Sequence, residues 1–512
     1  MSNKRLVINM GATICSFIVT MGINFILSPY IISTVGKEAY GFVGLANNFI
    51  SYAQLVTLAL NAMAGRFITI KIHQRDTEGA NKYFTSVVIV NILTAITLLI
   101  PGIIIILNLN QVINVPKEIL GDVQILWSLV FLNFLIGLVL TTFNVATFVT
   151  NRLDLSSIRD IQSNVLKVIV LIVMFSLFNP SIWYIGLASI VCTIFVGAYN
   201  IYYKIKLLPN IKLRIKYFDI KVIIELLYSG IWHVVIKLGQ ILSDGLDLLI
   251  SNIFINPAGM GTLAIAKTVP NAIFSLLCTI SGIFSPQITI QYAKGNKELL
   301  IDEIIKSMKF TGFFANISLS FLISVGLKFY QLWVPTENTS FIQLLSILTA
   351  VGIFIQGVVN PLFGIFTVTN KVKLHSFVIV LIGILNTFIV LILLKTTNLG
   401  VLAVAGVSST TNILRDLLYT PMYSAYCLNV SIGTFYRPII RYLISTIIMI
   451  MIFPFLTRVI SVVSWETLIL FGICCGIIGG LINYVIVFEK AERDVFNNII
   501  IVFLKKVLNI RF

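Results

Sequence analysis

Residues 228–251, YSGIWHVVIKLGQILSDGLDLLIS, are apolar enough to cross a bilayer, yet they hold a histidine, a lysine and two aspartates. On a helix, His233, Lys237, Gln240, Asp244 and Asp247 follow at steps of four, three, four and three, so all five share one face. A charge left in hydrocarbon costs several kcal/mol by most estimates, so such residues face a protein interior or a water-filled cavity. The chemistry on offer is non-covalent. Asp244 or Asp247 suits a proton or a sodium ion, with His233 as an alternative proton site, while Lys237 suits an anion.

Other spans carry polar stripes of the same kind. The first, near 7–33, has Asn9, Thr13, Ser16, Thr20 and Asn24 on one face. The second, near 42–68, has Asn47, Ser51, Gln54 and Asn61, with Arg66 near its inner end. The eighth, near 260–290, has Lys267, Asn271, Ser275 and Cys278. Together the amides and hydroxyls make a hydrogen-bonding wall suited to hydroxyl-rich cargo. Lys167, Arg415 and Asp416 are further charges inside spans.

Each has a plainer reading. The striped helix can be held by polar contacts between packed helices. Lys237 and Lys267 can form internal ion pairs with Asp244, Asp247 or Asp416. Lys167 can pair with a carboxylate or reach the inner interface, and Arg66 can be a flanking charge. Arg415 and Asp416, as helix neighbours about 100° apart, cannot both face a central cavity.

These helices belong to an all-α integral membrane chain. Of its 512 residues, 58% are hydrophobic and only 11% charged, with mean hydropathy +1.00. A soluble domain carries about 25% charged residues. Apolar runs long enough to span a bilayer recur from end to end and predict about fourteen transmembrane helices. The N-terminal run continues to about Ile32 with no small-residue cleavage site, so it reads as an uncleaved first span. Six cysteines show no CxxC and no Cys/His cluster, so neither a disulfide framework nor a metal site is indicated, and no cofactor motif is present.

With the N-terminus in the cytoplasm, 26 of the 36 lysines and arginines fall on cytoplasmic segments and five on the opposite side. That bias orients the chain with both termini cytoplasmic. It also accounts for the net charge of +16 without nucleic acid. The loops are too short for a soluble catalytic site, which argues against an enzyme. The basic, apolar tail 496–512 either lies on the inner leaflet or frays.

A shift of 220 residues lays AYGFVGLA (39–46) on GMGTLAIA (259–266), matching Gly41 to Gly261 and Ala46 to Ala266. The same shift lays Ile68–Ile70 on Ile288–Ile290 and Asn24 opposite Asp244. Six spans followed by six of the same orientation predict two bundles related by a pseudo-twofold axis along the membrane normal. The expected division is a six-helix bundle at 1–218, a second at 219–430, and two additional helices with a cytoplasmic tail at 431–512.

The span count, the repeat and the segment SPYIISTVGKEAYG, with Pro29 and Gly41 near its ends, make the chain similar to the polysaccharide-transporter branch of the MOP flippase superfamily. Within it, the chain resembles the Wzx-type O-antigen and capsule repeat-unit flippases over essentially its whole length. That resemblance implies an alternating-access transporter in the bacterial inner or plasma membrane. It would carry undecaprenyl-pyrophosphate-linked oligosaccharide from inner to outer leaflet, driven by H+ or Na+, with membrane lipids and polysaccharide-assembly proteins as possible partners. It also implies charged residues in a central cavity, a role that Lys237, Asp244, Lys267 and Arg415 fit.

On chemical grounds Lys237, Lys267, Arg66, Lys167 and Arg415 are the candidate cations for the pyrophosphate. Asp244, Asp247, His233 and Asp416 are the coupling-ion candidates, and Asn24, Asn47, Ser51, Gln54, Asn61, Gln240 and Asn271 form the polar wall. Two alternatives share most of these features: a cation-coupled multidrug antiporter of the MATE branch, and a peptidoglycan- or teichoic-precursor flippase.

Overall fold

The computed structural model describes residues 3–150, 152–489 and 493; the tail 496–512 lies outside them. The described residues are mostly helical, joined by short loops, with no strand among them. The long helices are α1 (Asn3–Val35), α2 (Lys37–His73), α3 (Thr77–Leu107), α4 (Leu120–Leu140), α5 (Leu153–Leu177), α6 (Tyr184–Leu207) and α7 (Ile220–Gln240). They continue as α8 (Asp247–Phe254), α9 (Pro257–Ala293), α10 (Lys297–Trp333), α11 (Thr339–Val359) and α12 (Val372–Thr396). The last are α13 (Val401–Leu414), α14 (Thr420–Leu428), α15 (Gly433–Val459) and α16 (Trp465–Ile486).

Thirteen helices among the described residues are long and apolar enough to cross a membrane. The sequence predicts about fourteen. The difference is the segment 399–426, which a five-residue wide turn, Arg415–Tyr419, divides into α13 and α14. Arg415 and Asp416 sit in that turn, and Pro421 opens the helix after it.

The chain forms two compact units: Met1–Thr268 with Val372–Thr411, and Val269–Lys371 with Asn412–Phe512. In the first, α7 is seated against α2 and α12 by small residues. A Cβ at Gly230 would lie 2.0 Å from the Ala59 carbonyl oxygen, and one at Gly383 would lie 2.6 Å from the Gly239 carbonyl oxygen. Backbones approach this closely where van der Waals packing, rather than the hydrophobic effect, joins helices in a bilayer. The glycines matched by the 220-residue shift also meet, since a Cβ at Gly41 would lie 2.9 Å from the Cα of Gly261.

The polar stripe of α1 in this unit is turned toward α5. Asn9 accepts from the Asp154 backbone N–H at 3.2 Å, and Thr13 and Ser157 hydroxyls lie 3.5 Å apart. Two turns further on, Asn164 donates to Thr20 at 2.9 Å. Along three turns, then, these residues join two helices.

In the second unit α10 packs against α11, α15 and α16. Asn316 and Asn483 exchange amide hydrogen bonds of 2.8 and 3.2 Å, and Ser445 donates to Asn483 at 2.7 Å. All three are fully buried. Buried amides without such partners would be costly, so this triad ties the last two helices to α10 in one register.

Candidate functional site

The striped segment is not one regular helix. After Gln240 the backbone widens through Ile241–Gly245, where the Leu246 N–H donates to the Ile241 carbonyl five residues back at 3.0 Å. The extra residue rotates everything after it by about 100° relative to a continuous helix. Gly239 just before the turn and Gly245 at its end weaken the regular helix there. The stripe splits accordingly. His233 and Lys237 are half-buried, Gln240 and Asp244 are exposed, and Asp247 is turned inward to 1% exposure. The sequence places all five on one face; the wide turn removes Asp247 from it.

Neighbouring helices hold the turn open. The Leu242 carbonyl accepts from Thr387 at 2.9 Å, and the Ser243 carbonyl from Asn386 at 2.8 Å, both donors on α12. The Gly245 carbonyl accepts from Asn48 at 3.0 Å and from the Tyr52 hydroxyl at 2.6 Å, both on α2. Irregular backbone is tolerated at membrane depth only when its freed groups are satisfied in this way.

Asp247 sits at the start of α8, beyond the turn. One carboxylate oxygen accepts from Ser408 of α13 at 3.0 Å, and the other is paired with the Lys267 ammonium of α9. Asn386 donates to Ser408 at 3.3 Å and accepts from Thr411 at 3.1 Å, extending the network to the turn carbonyls. Asp247 is thus enclosed, whereas the Lys267 side chain keeps 13% exposure. The pairing of Lys267 with Asp247 is one that the sequence leaves open.

The remaining candidates sort by their partners. Arg415 and Asp416 bond each other bidentately at 2.8 Å twice within the second wide turn, and both are buried. Lys237, Lys167 and Arg66 have no ion-pair partner among the described residues; Lys237 and Lys167 are half-buried and Arg66 is exposed. Asn61 is spent on a reciprocal amide pair with buried Asn91, at 3.1 and 3.0 Å. Asn47 donates within its own helix to Val43 at 2.9 Å, and Ser51 donates to the Asn47 carbonyl at 3.2 Å. Gln54 and Asn271 are exposed, and Asn24 is half-buried.

Sequence reasoning misses Asn48, Tyr52, Asn386, Ser408 and Thr411. The run SSTTN at 408–412, five polar residues in an apolar segment, is the signal that marks two of them. It also misses Arg159, a buried arginine that bonds Asp160 at 2.7 Å and Asn144 at 3.2 Å. Among the described residues, no group of three or more His, Cys, Asp or Glu is placed to hold a metal ion.

No family model matches the chain. It is 26% identical over 490 residues to the uncharacterized membrane protein EpsK of Bacillus subtilis (strain 168), covering 96% of this chain and 97% of that one. Among solved structures it is similar to the lipid II flippase MurJ in an inward closed conformation, with TM-score 0.66 and 16% identity over 93% of this chain and 99% of that one. It is also similar to the inward-facing conformation of a multidrug resistance MATE family transporter of the MOP superfamily. There the TM-score is 0.64 and the identity 12%, over 83% of this chain and 99% of that one. The chain is a multi-pass, all-helical membrane protein with the fold of MOP-superfamily transporters.

Proposed function

We propose that this protein is a transporter that flips an undecaprenyl-pyrophosphate-linked oligosaccharide repeat unit from the inner to the outer leaflet of a bacterial cell membrane. It does so by alternating access, coupled to H+ or Na+, with both termini cytoplasmic. The cargo would serve surface polysaccharide of the O-antigen or capsule kind. The observation that carries this reading is the buried Asp247 at a broken helix, neutralised by a lysine from another helix. Broken helices that carry charges at membrane depth form ion and substrate sites in transporters. The contact between Gly41 and Gly261 supports the two-bundle repeat, because a twofold axis brings equivalent residues together.

The chemistry follows from the ion pair. A pyrophosphate crossing the bilayer needs cations, and Lys237 has no carboxylate partner among the described residues. Lys267 cannot fully neutralise Asp247 and a phosphate at once. When cargo draws the ammonium away, Asp247 takes up the coupling cation; when the cation leaves, Lys267 returns and the phosphate is released. Exposed Asp244 stands near the same exchange, since the Lys267 ammonium lies 3.5 Å from its carbonyl oxygen.

The test is complementation of strains each lacking one lipid-linked-glycan flippase, with wild type, Lys237→Ala, Lys267→Ala and Asp247→Asn. Surface glycan restored by wild type and lost in well-expressed variants supports the proposal and identifies the glycan. Rescue confined to the strain lacking the peptidoglycan-precursor flippase moves the cargo to lipid II. No rescue together with resistance to cationic dyes favours a MATE-type antiporter. Rescue by every variant keeps the function and removes these residues from it.

A further inference from the structure

The wide turn is bordered by a feature that the proposed transport does not use. A cavity of about 320 Å³ lies between α2, α3 and α4, walled by Phe49, Tyr52, Leu98, Pro101, Trp127 and Phe131. Its size is at the lower end of small-molecule sites. Pro101, inside α3, lines this space and leaves the helix one backbone donor short there.

The cavity wall is apolar with two polar atoms of interest. The Tyr52 hydroxyl is committed to the Gly245 carbonyl. The Trp127 indole N–H, on a residue 5% exposed, is buried with no acceptor among the described residues. Buried indole N–H groups nearly always find a partner, and one left orphaned beside a cavity points to a ligand that supplies an acceptor.

The surroundings name the ligand class. On α3 the residues between the cavity-lining positions, Ile100, Ile103 and Ile104, are 50–68% exposed and face the hydrocarbon that a membrane helix must meet. Trp127 lies seven residues into α4, about 10 Å along it at 1.5 Å per residue, on the same apolar wall.

We propose that this cavity binds one acyl chain of a membrane glycerolipid, with an ester carbonyl accepting from the Trp127 indole N–H. The occupant packs on the same Tyr52 ring whose hydroxyl holds the break before Asp247. Bound lipid therefore stiffens the wide turn. The binding itself is independent of the cargo and of the proposed flipping.

Fluorescence quenching tests it in nanodiscs of brominated phosphatidylcholine, reading the Trp127 component as wild type minus Trp127→Phe. We expect that component to lose at least half its intensity and to recover saturably as unbrominated lipid replaces the probe. Ala53→Phe, which fills the cavity, should abolish most of that quenching, with Ala53→Leu as the milder variant if the ring prevents folding. Native mass spectrometry should find one retained lipid in wild type, released several-fold more readily from Trp127→Phe. An unquenched Trp127, or equal quenching in the filled variants, overturns the site. Loss of flipping with quenching intact would count against the proposed transport only.

Discussion

Two membrane segments of this protein widen by one residue, and each places a buried carboxylate beside a cation. At Ile241–Gly245 the carboxylate is Asp247, and its cation comes from a different helix, twenty residues along. At Arg415–Tyr419 the carboxylate is Asp416, and its cation is the preceding residue. Each also receives a hydroxyl, Ser408 at 3.0 Å and Thr420 at 3.2 Å. The inter-helix pair can separate by a side-chain movement, because Lys267 is flexible and partly accessible. The pair in the second turn is two rigid hydrogen bonds between neighbours, with side chains 3% and 0% exposed, and opens only if the turn does. The same backbone device thus holds a separable pair in one place and a closed pair in the other.

The strongest way to break this contrast is to remove one partner at the closed turn. Arg415→Ala leaves Asp416 buried without a counter-charge and should cost about 3–5 kcal/mol. The readout is thermal unfolding in detergent, alongside Arg415→Met with Asp416→Leu, which should recover most of the loss. A single variant as stable as wild type would show that the turn is not closed.

At the separable pair the cost should be unequal. Lys267→Met strands a carboxylate at 1% exposure, whereas Asp247→Asn leaves an ammonium able to turn toward water. We expect Lys267→Met to lower the unfolding midpoint clearly more than Asp247→Asn, with the double variant near the milder one. Asp247→Asn should in turn remove the ion-gradient dependence of transport while the protein remains folded. Equal losses would put both charges in the same closed class as Arg415 and Asp416.

A smaller effect is expected from a purely structural network. Asn483→Ala removes one member of the buried Asn316–Asn483–Ser445 triad and should cost about 1–2 kcal/mol, as transmembrane hydrogen bonds do. The unfolding midpoint measures it, and transport by the folded fraction should be unchanged. Reduced transport per folded molecule would extend function to α16.

Much of this was legible in the residues. Apolar runs predict the crossing helices, and the unusual charges single out Asp247 and Lys267. The break was not, because a wide turn has no strong local signature: Gly239 and Gly245 weaken a helix without specifying how it deforms. Its causes lie far along the chain, in Asn48, Tyr52, Asn386 and Thr387, whose hydrogen bonds satisfy the freed carbonyls. The α1 stripe misleads for a related reason. Asn9, Thr13 and Thr20 look like a wall for sugars until α5 presents Asp154, Ser157 and Asn164 at matching heights. Periodicity identifies a polar face but not what meets it.

The mildest prediction concerns a carboxylate wholly outside the membrane. Asp76 caps α3, accepting from the Gly79 backbone N–H at 2.7 Å and pairing with Lys71 at 3.1 Å. The backbone bond first, and Lys71 after it, hold its carboxyl below the usual range. A lowered folded pKa means that the native state binds a proton less readily than the unfolded chain. The capping contribution is therefore present above the unfolded value, near 4, and lost as pH falls through the folded one. Hydrogen exchange at the first turn of α3, corrected for intrinsic rates, should thus accelerate on acidification, with little change between pH 6 and 8. Asp76→Asn keeps an acceptor and should flatten that acid response, whereas Lys71→Ala should leave most of it. An unaltered response in Asp76→Asn would assign it to another group. Unlike Asp247, this carboxylate meets water directly, so its titration should alter local fraying and leave ion coupling untouched.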